Sequence, residues 1–162
     1  MSGLIGELVR EKLEQLGNYE LTALNRTNIE GIRTVQANIS DLNSIKQAFV
    51  GQDIVIHLAA VLVKADWQQL MAVNINGTYN VFEASRLAGV KRVVNASSGA
   101  TIKGVVKGEG IYKDLEDGKY DNVPKPWKMV THNDFHPYGL YGVSKMAGEG
   151  LARHFSDVYK LP

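Results

Sequence analysis

Asp53-Ile54-Val55-Ile56-His57-Leu58-Ala59-Ala60 is a nearly unbroken apolar run. A run of this kind suits a central parallel strand buried on both faces, because a half-solvated strand would alternate apolar with polar residues. Upstream of it, Asp41 is placed to cap a helix that reaches Val50, and a short strand is expected around Arg33–Asn38. Tyr19–Asn25 alternates like a strand. Before that, Leu4, Ile5, Leu8, Val9, Leu13 and Leu16 recur at helical spacing until Gly17-Asn18 stops them. Downstream, the stripe Leu70, Val73, Gly77, Val81, Ala84, Ala88 marks a long helix from Trp67 that Gly89 ends. Lys91–Ser97 reads as a strand, and an amphipathic helix runs from about Tyr138 to Tyr159.

Strand and helix alternate throughout, so the fold class is α/β, a Rossmann-like doubly wound parallel sheet covered by helices. Such a sheet opens with a buried strand feeding a glycine turn, whereas this sequence opens with a helix. The expectation is therefore one partial nucleotide-binding domain over residues 1–162, lacking the first strand and a C-terminal substrate domain. Residues 99–137, rich in glycine and lysine and weakly periodic, read as an irregular insertion.

The bulk properties narrow the function classes. Hydrophobic residues make up 44% of the 162 residues, and 18 Lys and Arg face 17 Asp and Glu with no basic block. That balance disfavours nucleic-acid or membrane-surface binding. No apolar stretch approaches the ~20 residues of a membrane span, and no cysteine is present, so a cytoplasmic protein is expected.

Three clusters carry chemistry. Ser2-Gly3-Leu4-Ile5-Gly6 looks like part of a phosphate-binding turn, with Gly3 and Gly6 as its second and third glycines, at the positive end of the first helix. The strand ending at Leu24 leads to Asn25-Arg26, where a dinucleotide fold meets the adenosine ribose. Asn25 has no charge to repel a 2′-phosphate and Arg26 could pair with one, which leans the cofactor, NAD or NADP, toward NADP. Third, Tyr141 and Lys145 lie four apart on the last helix, on one face. A neighbouring ammonium favours the phenolate, so such a tyrosine can exchange the proton of a substrate hydroxyl as hydride moves. Ser97-Ser98 ends a strand at the carboxyl edge of the sheet, where open α/β folds place ligands. Thr101 is a competing hydroxyl. Asn74, close to the apolar stripe of the long helix, could anchor a backbone carbonyl or a water near the lysine.

Taken in order and spacing, Ser2–Gly6, His57-Leu58-Ala59-Ala60, Asn74-Ile75-Asn76-Gly77-Thr78, Ser97-Ser98-Gly99 and Tyr141-Gly142-Val143-Ser144-Lys145 resemble the extended short-chain dehydrogenases/reductases. This is the NAD-dependent epimerase/dehydratase family, and the tail Glu149–Pro162 is similar to its uronate-dehydrogenase-like members. The resemblance covers nearly the whole chain and implies that the sequence is cut short at both ends. It implies Tyr141 as acid/base, Lys145 as its activator and ribose ligand, and Ser98 polarising the substrate oxygen, with Asn74 in support. It implies cofactor contacts at Gly3, Leu4, Ile5, Gly6, Asn25, Arg26, Asn38, Ile39, Leu58, Ala59, Ala60, Asn74, Ser97, Tyr141 and Lys145. The implied activity is oxidation, reduction or epimerisation of a sugar or related small molecule, with homodimers through the two long helices. The segment after Ser98 departs from the family pattern and leaves the hydroxyl, Ser98 or Thr101, open. A nucleotide sensor of the same fold, or an inactive fragment, is the alternative reading. His57 reads as a packed core histidine. His132 and His136 flank Asp134 without further ligand spacing, so no metal is expected, and Trp127 reads as a loop stiffener.

Overall fold

A computed structural model describes residues 3–62, 64–107, 111–125 and 134–162. Helix α1 (Leu4–Leu16) ends at Gly17, whose φ of 69° gives the left-handed cap that glycine adopts without strain. Strands β1 (Thr22–Asn25) and β2 (Arg33–Gln36) follow, then α2 (Leu42–Phe49), capped by the Asp41 carboxylate as expected. Strand β3 (Ile54–His57) leads to α3 (Trp67–Gln69), a π-helical stretch (Leu70–Gly77) and α4 (Thr78–Ala88). Strand β4 (Arg92–Asn95) precedes a 3₁₀ turn (Gly99–Thr101) and short helices α5 (Lys103–Lys107) and α6 (Ile111–Glu116). A second 3₁₀ turn (Tyr120–Asn122) and the long α7 (Gly139–Tyr159) complete the order.

Two elements depart from the sequence reading. The long helix expected from Trp67 switches to π-type turns over Leu70–Gly77, where Leu70, Asn74 and Gly77 are the buried residues. The supposedly irregular segment contains helical turns, whose few residues are too short to show periodicity. Trp127 and His132 lie outside the described residues.

Among the described residues the strand pairing is parallel, as expected. β1 pairs with β2 (Thr22 opposite Arg33) and β3 with β4 (Ile54 opposite Arg92), but the two pairs are not hydrogen-bonded to each other. In a doubly wound sheet ordered 3-2-1-4-5-6, β2-β1 and β3-β4 take the places of 3-2 and 4-5. No described residue takes the place between them. The fold is thus the Rossmann-like sheet, and the described residues supply neither the strand between the two pairs nor a second domain.

This arrangement explains where burial fails. Val55, His57 and Val93 face the core formed with α2, α4 and α7, built on Ile45, Phe49, Val81, Phe82, Phe155 and Leu161. Phe82 stacks on Phe155 at 5.3 Å between ring centroids. On the opposite face Ile54 and Val94 are each 48% exposed. The expectation of a β3 buried on both faces is therefore corrected: one edge and one face lack a covering element among the described residues. The stripe of α1 is open for the same reason, with Leu4, Ile5 and Leu8 exposed and Gly6 its one buried residue. Arg10 ties α1 to the β1–β2 connection, donating to the carbonyls of Glu30 and Gly31 at 2.9 Å each.

Candidate active site

The carboxyl ends of β3 and β4 and the first turns of α7 meet at one rim. Gly139, at φ 74°, turns the chain into α7, and the buried Gly142 lets the helix close on the turn after β4. A Cβ on Gly142 would lie 2.5 Å from the Ala100 carbonyl oxygen. Only glycine permits that approach.

Tyr141 and Lys145 lie one helical turn apart on α7, both half-buried. The Lys145 ammonium donates to the Ala96 carbonyl at 2.8 Å, just beyond the end of β4. Burial pushes the Lys145 pKa below the ordinary lysine value. The Tyr141 backbone carbonyl accepts the Ser144 hydroxyl at 2.8 Å.

The hydroxyls after β4 are in different situations. Thr101 is buried and its hydroxyl donates to the Ser98 carbonyl at 2.9 Å. Ser98 is half-buried, and its Oγ accepts the Ala100 N–H at 3.2 Å, which leaves its proton available to another acceptor. Ser97, expected at the cofactor, donates its hydroxyl to the Glu149 carboxylate.

Asn74 is buried and uses both ends of its amide. Its Oδ1 accepts the Val61 N–H at 2.8 Å, and its Nδ2 donates to the Val61 carbonyl and to Ser144 Oγ, each at 3.0 Å. It thereby ties the segment that follows Leu58-Ala59-Ala60 to the first turn of α7. The expectation that Asn74 anchors a backbone carbonyl identified the interaction but not the partner.

His57 is the packed histidine that the sequence suggested. Its Nε2 lies 3.0 Å from Thr78 Oγ1, and burial, then the Lys145 charge, lower its pKa from 6.5 to about 4. It is neutral at neutral pH.

The other residues expected at a dinucleotide lie at the start of α1, at the end of β1, after β2 and just beyond β3. Gly3 enters α1 with extended backbone (φ −120°, ψ 165°), and no side chain caps the helix. The first-turn N–H groups are thus left to an external acceptor. Nothing lies within 4 Å of a Cβ built on Gly3, so backbone and ligand can approach there. Leu4 and Ile5 are exposed and Gly6 is buried. At the end of β1, Asn25 donates to the Thr27 carbonyl and hydroxyl at 2.9 and 3.1 Å, while Arg26 is exposed. Asn38 is exposed and its Oδ1 accepts the Ser40 N–H at 3.1 Å. Ile39 is not at the surface: it is a core residue, its side chain lies against Gly77 and its carbonyl accepts Asn80 Nδ2 at 2.8 Å. Ala59 is exposed, with Leu58 and Ala60 half-buried beside it. Among the described residues no group of three or more His, Cys, Asp or Glu could hold a metal ion, and no helix is long and apolar enough to cross a membrane.

Sequence reasoning missed Glu149, Ser144 and Gly142 as parts of this rim. Glu149 carried a usable signal, since it lies four residues beyond Lys145 on the same helix face.

Known proteins share both the sequence and the architecture. The chain is 32% identical over 168 residues to an L-arabinose 1-dehydrogenase (NAD(P)(+)) of Haloferax volcanii, covering 99% of this chain and 62% of that protein. It is 34% identical over 161 residues to a uronate dehydrogenase of Agrobacterium fabrum, covering 98% and 54%. A mutant uronate dehydrogenase from Agrobacterium tumefaciens, solved in complex with NAD, superposes with a TM-score of 0.75 at 29% identity, covering 98% of this chain and 54% of that one. The chain thus spans a little over half the length of these relatives. The model of the NAD dependent epimerase/dehydratase family matches residues 1–162. With its parallel sheet and the rim joining β4 to α7, the chain belongs to the NAD dependent epimerase/dehydratase family.

Proposed function

We propose that this chain supplies the nucleotide-binding and proton-transferring half of an NAD(P)-dependent sugar dehydrogenase, with a uronate or a pentose such as L-arabinose as substrate. The two substrate classes come from the relatives. The observation that carries the reading is the Lys145–Ala96 bond, which holds the Tyr141 helix against the rim bearing Ser98.

Bound nicotinamide would accept the hydride leaving the sugar carbon. Tyr141, as the phenolate, takes the proton of the sugar hydroxyl and becomes the phenol. The Lys145 ammonium, one helical turn away, would offset the negative charge handled there, and its N–H groups not given to Ala96 would hold the ribose. Ser98, rather than Thr101, donates to the reacting oxygen, because the Thr101 proton is already committed to the Ser98 carbonyl. Asn74 holds the cleft segment beside them. The open N-terminus of α1 at Gly3 and Gly6 would receive the pyrophosphate, and Asn25 with Arg26 the ribose. An uncharged Asn25 next to the exposed Arg26 favours NADP over NAD.

The test is reduction of NAD and NADP, followed at the nicotinamide absorbance, with a hexuronic acid and with L-arabinose. Tyr141→Phe is expected to lower turnover by about 10² to 10⁴ while dinucleotide affinity stays within about twofold. Equal turnover in wild type and Tyr141→Phe would overturn the assignment. Dinucleotide binding without any turnover would turn the reading to a nucleotide-binding protein.

A further inference from the structure

Helix α7 is held to the rim of the sheet at two points, one helical turn apart. Lys145 donates to the Ala96 carbonyl, and Glu149 accepts the hydroxyl of Ser97, the next residue along. Ala96 is itself fixed, since its N–H donates to the His57 carbonyl at 3.0 Å and so prolongs the β3–β4 ladder. Ser98 follows directly, and the buried Gly142 keeps the helix in contact with Ala100 two residues later. Two successive rim residues are therefore pinned to the helix face that carries Tyr141, Lys145 and Glu149 in line. Ser97 is the one partner that Glu149 takes among the described residues.

We infer that Glu149 is a positioning residue, which by accepting the Ser97 hydroxyl sets the place of Ser98 relative to Tyr141. The inference rests on the function proposed above and adds a residue to it. The side-chain oxygen of Glu149 is the acceptor, and the tie depends on its position on α7. With Lys145 at Ala96 and the helix contact at Ala100 alone, residues 97 and 98 between them would have no tie of their own to α7 and could turn about Ala96. With Glu149 added, rotation of the segment 96–98 against α7 is blocked. Displacements of about 1 Å at a reacting group suffice to cost orders of magnitude in rate, so the second attachment acts on kcat and leaves substrate binding almost unaffected. Glu149 touches no reacting atom in this scheme.

The test compares wild type, S97A, E149A, E149Q and the S97A/E149A double variant. kcat, KM and the urea unfolding equilibrium are measured for each. S97A and E149A are each expected to lower kcat about tenfold with KM within about twofold, and the double variant to be no slower than either single one. E149Q keeps a carbonyl acceptor for Ser97 and is expected to recover most of the rate, which a role for the charge itself would not allow. Additive losses in the double variant, or an E149A variant with wild-type kcat, would overturn the inference. Should wild type show no turnover with either cofactor, the proposed function fails. The clamp is then decided by unfolding: coupling of about fivefold between the two substitutions supports it, and additivity refutes it.

Discussion

Replacing Asn74 by leucine removes a buried amide of similar size and leaves its partners in place. Three hydrogen bonds disappear: two with the backbone of Val61 and one with Ser144. Ser144 remains satisfied through the Tyr141 carbonyl, so its share of the loss is small, about 0.5 kcal/mol. The Val61 N–H has Asn74 as its acceptor, and an orphaned buried N–H costs about 1–3 kcal/mol. Val61 is half-buried, so water reaches it in part and the low end applies, about 1 kcal/mol. The Val61 carbonyl adds about 0.5–1 kcal/mol on the same reasoning. The sum is about 2–2.5 kcal/mol, which for a domain of this size moves a urea midpoint by about 1 M. Amide exchange should localise the effect, with the Val61 N–H exchanging about tenfold faster than in wild type. Asn74→Asp keeps an acceptor for that N–H but turns an oxygen toward the Val61 carbonyl, and should be destabilised at least as much. A midpoint shift below about 0.3 M together with unchanged exchange at Val61 would refute the tether and the role given to Asn74.

Two further outcomes follow from the same structure. His57 titrates at 6.5 when exposed and at about 4 in the fold, so between these values the unfolded chain binds a proton that the folded one refuses. Stability should therefore be intact above pH 6.5 and fall by roughly 3 kcal/mol on acidification to pH 4; if His57→Gln left the slope of stability against pH in that window unchanged, His57 would not be its source. Gly142→Ala places a methyl 2.5 Å from the Ala100 carbonyl, a backbone atom that cannot swing aside. Overpacking of this kind costs about 1–3 kcal/mol and should also separate Tyr141 from Ser98; thermal unfolding and turnover unaltered by the substitution would show that α7 does not dock there as described.

Much of the architecture was legible because apolar runs and helical stripes report burial directly. The alternation of elements, the Asp41 cap, the Gly17 and Gly89 helix ends and the parallel pairing all follow from local pattern. What was not legible depends on neighbours. The run 53–60 is as apolar as a central strand, yet Ile54 lies half exposed, because burial requires an element opposite and sequence cannot show that it is present. Ile39, expected beside Asn38 as a cofactor contact, packs its side chain against Gly77 in the core, a partner that its place in the sequence does not reveal. The Asn74 amide meets a backbone thirteen residues upstream, and backbone partners leave no mark in side-chain identity. Sequence does not separate Ser98 from Thr101, because the Thr101 hydroxyl turns to the Ser98 carbonyl only in the folded turn, and that bond is the ground for proposing Ser98.

The distribution of ties has a consequence for the whole half-domain. The polar links converge on α7: Lys145 to Ala96, Glu149 to Ser97, and Asn74 through Ser144 to Tyr141. The apolar core lies on the same side, with Phe155 and Leu161 packed among the residues of α4 and β4. The β1–β2 pair is joined to this body chiefly through the packing of α2 on α4, where Ile45 and Phe49 meet Val81 and Phe82. Helix α1 rests on the two Arg10 bonds and a largely exposed stripe. Local stability follows buried apolar contact, so the rim that joins β4 to α7 is the firm part and the glycine turn at α1 the labile one. A ligand bridging the two, with pyrophosphate at α1 and a ribose at Lys145, would order the weaker part against the stronger. Part of its binding energy would be spent on that ordering, and cofactor affinity should be more sensitive to changes around α1 than to changes of equal size around α7.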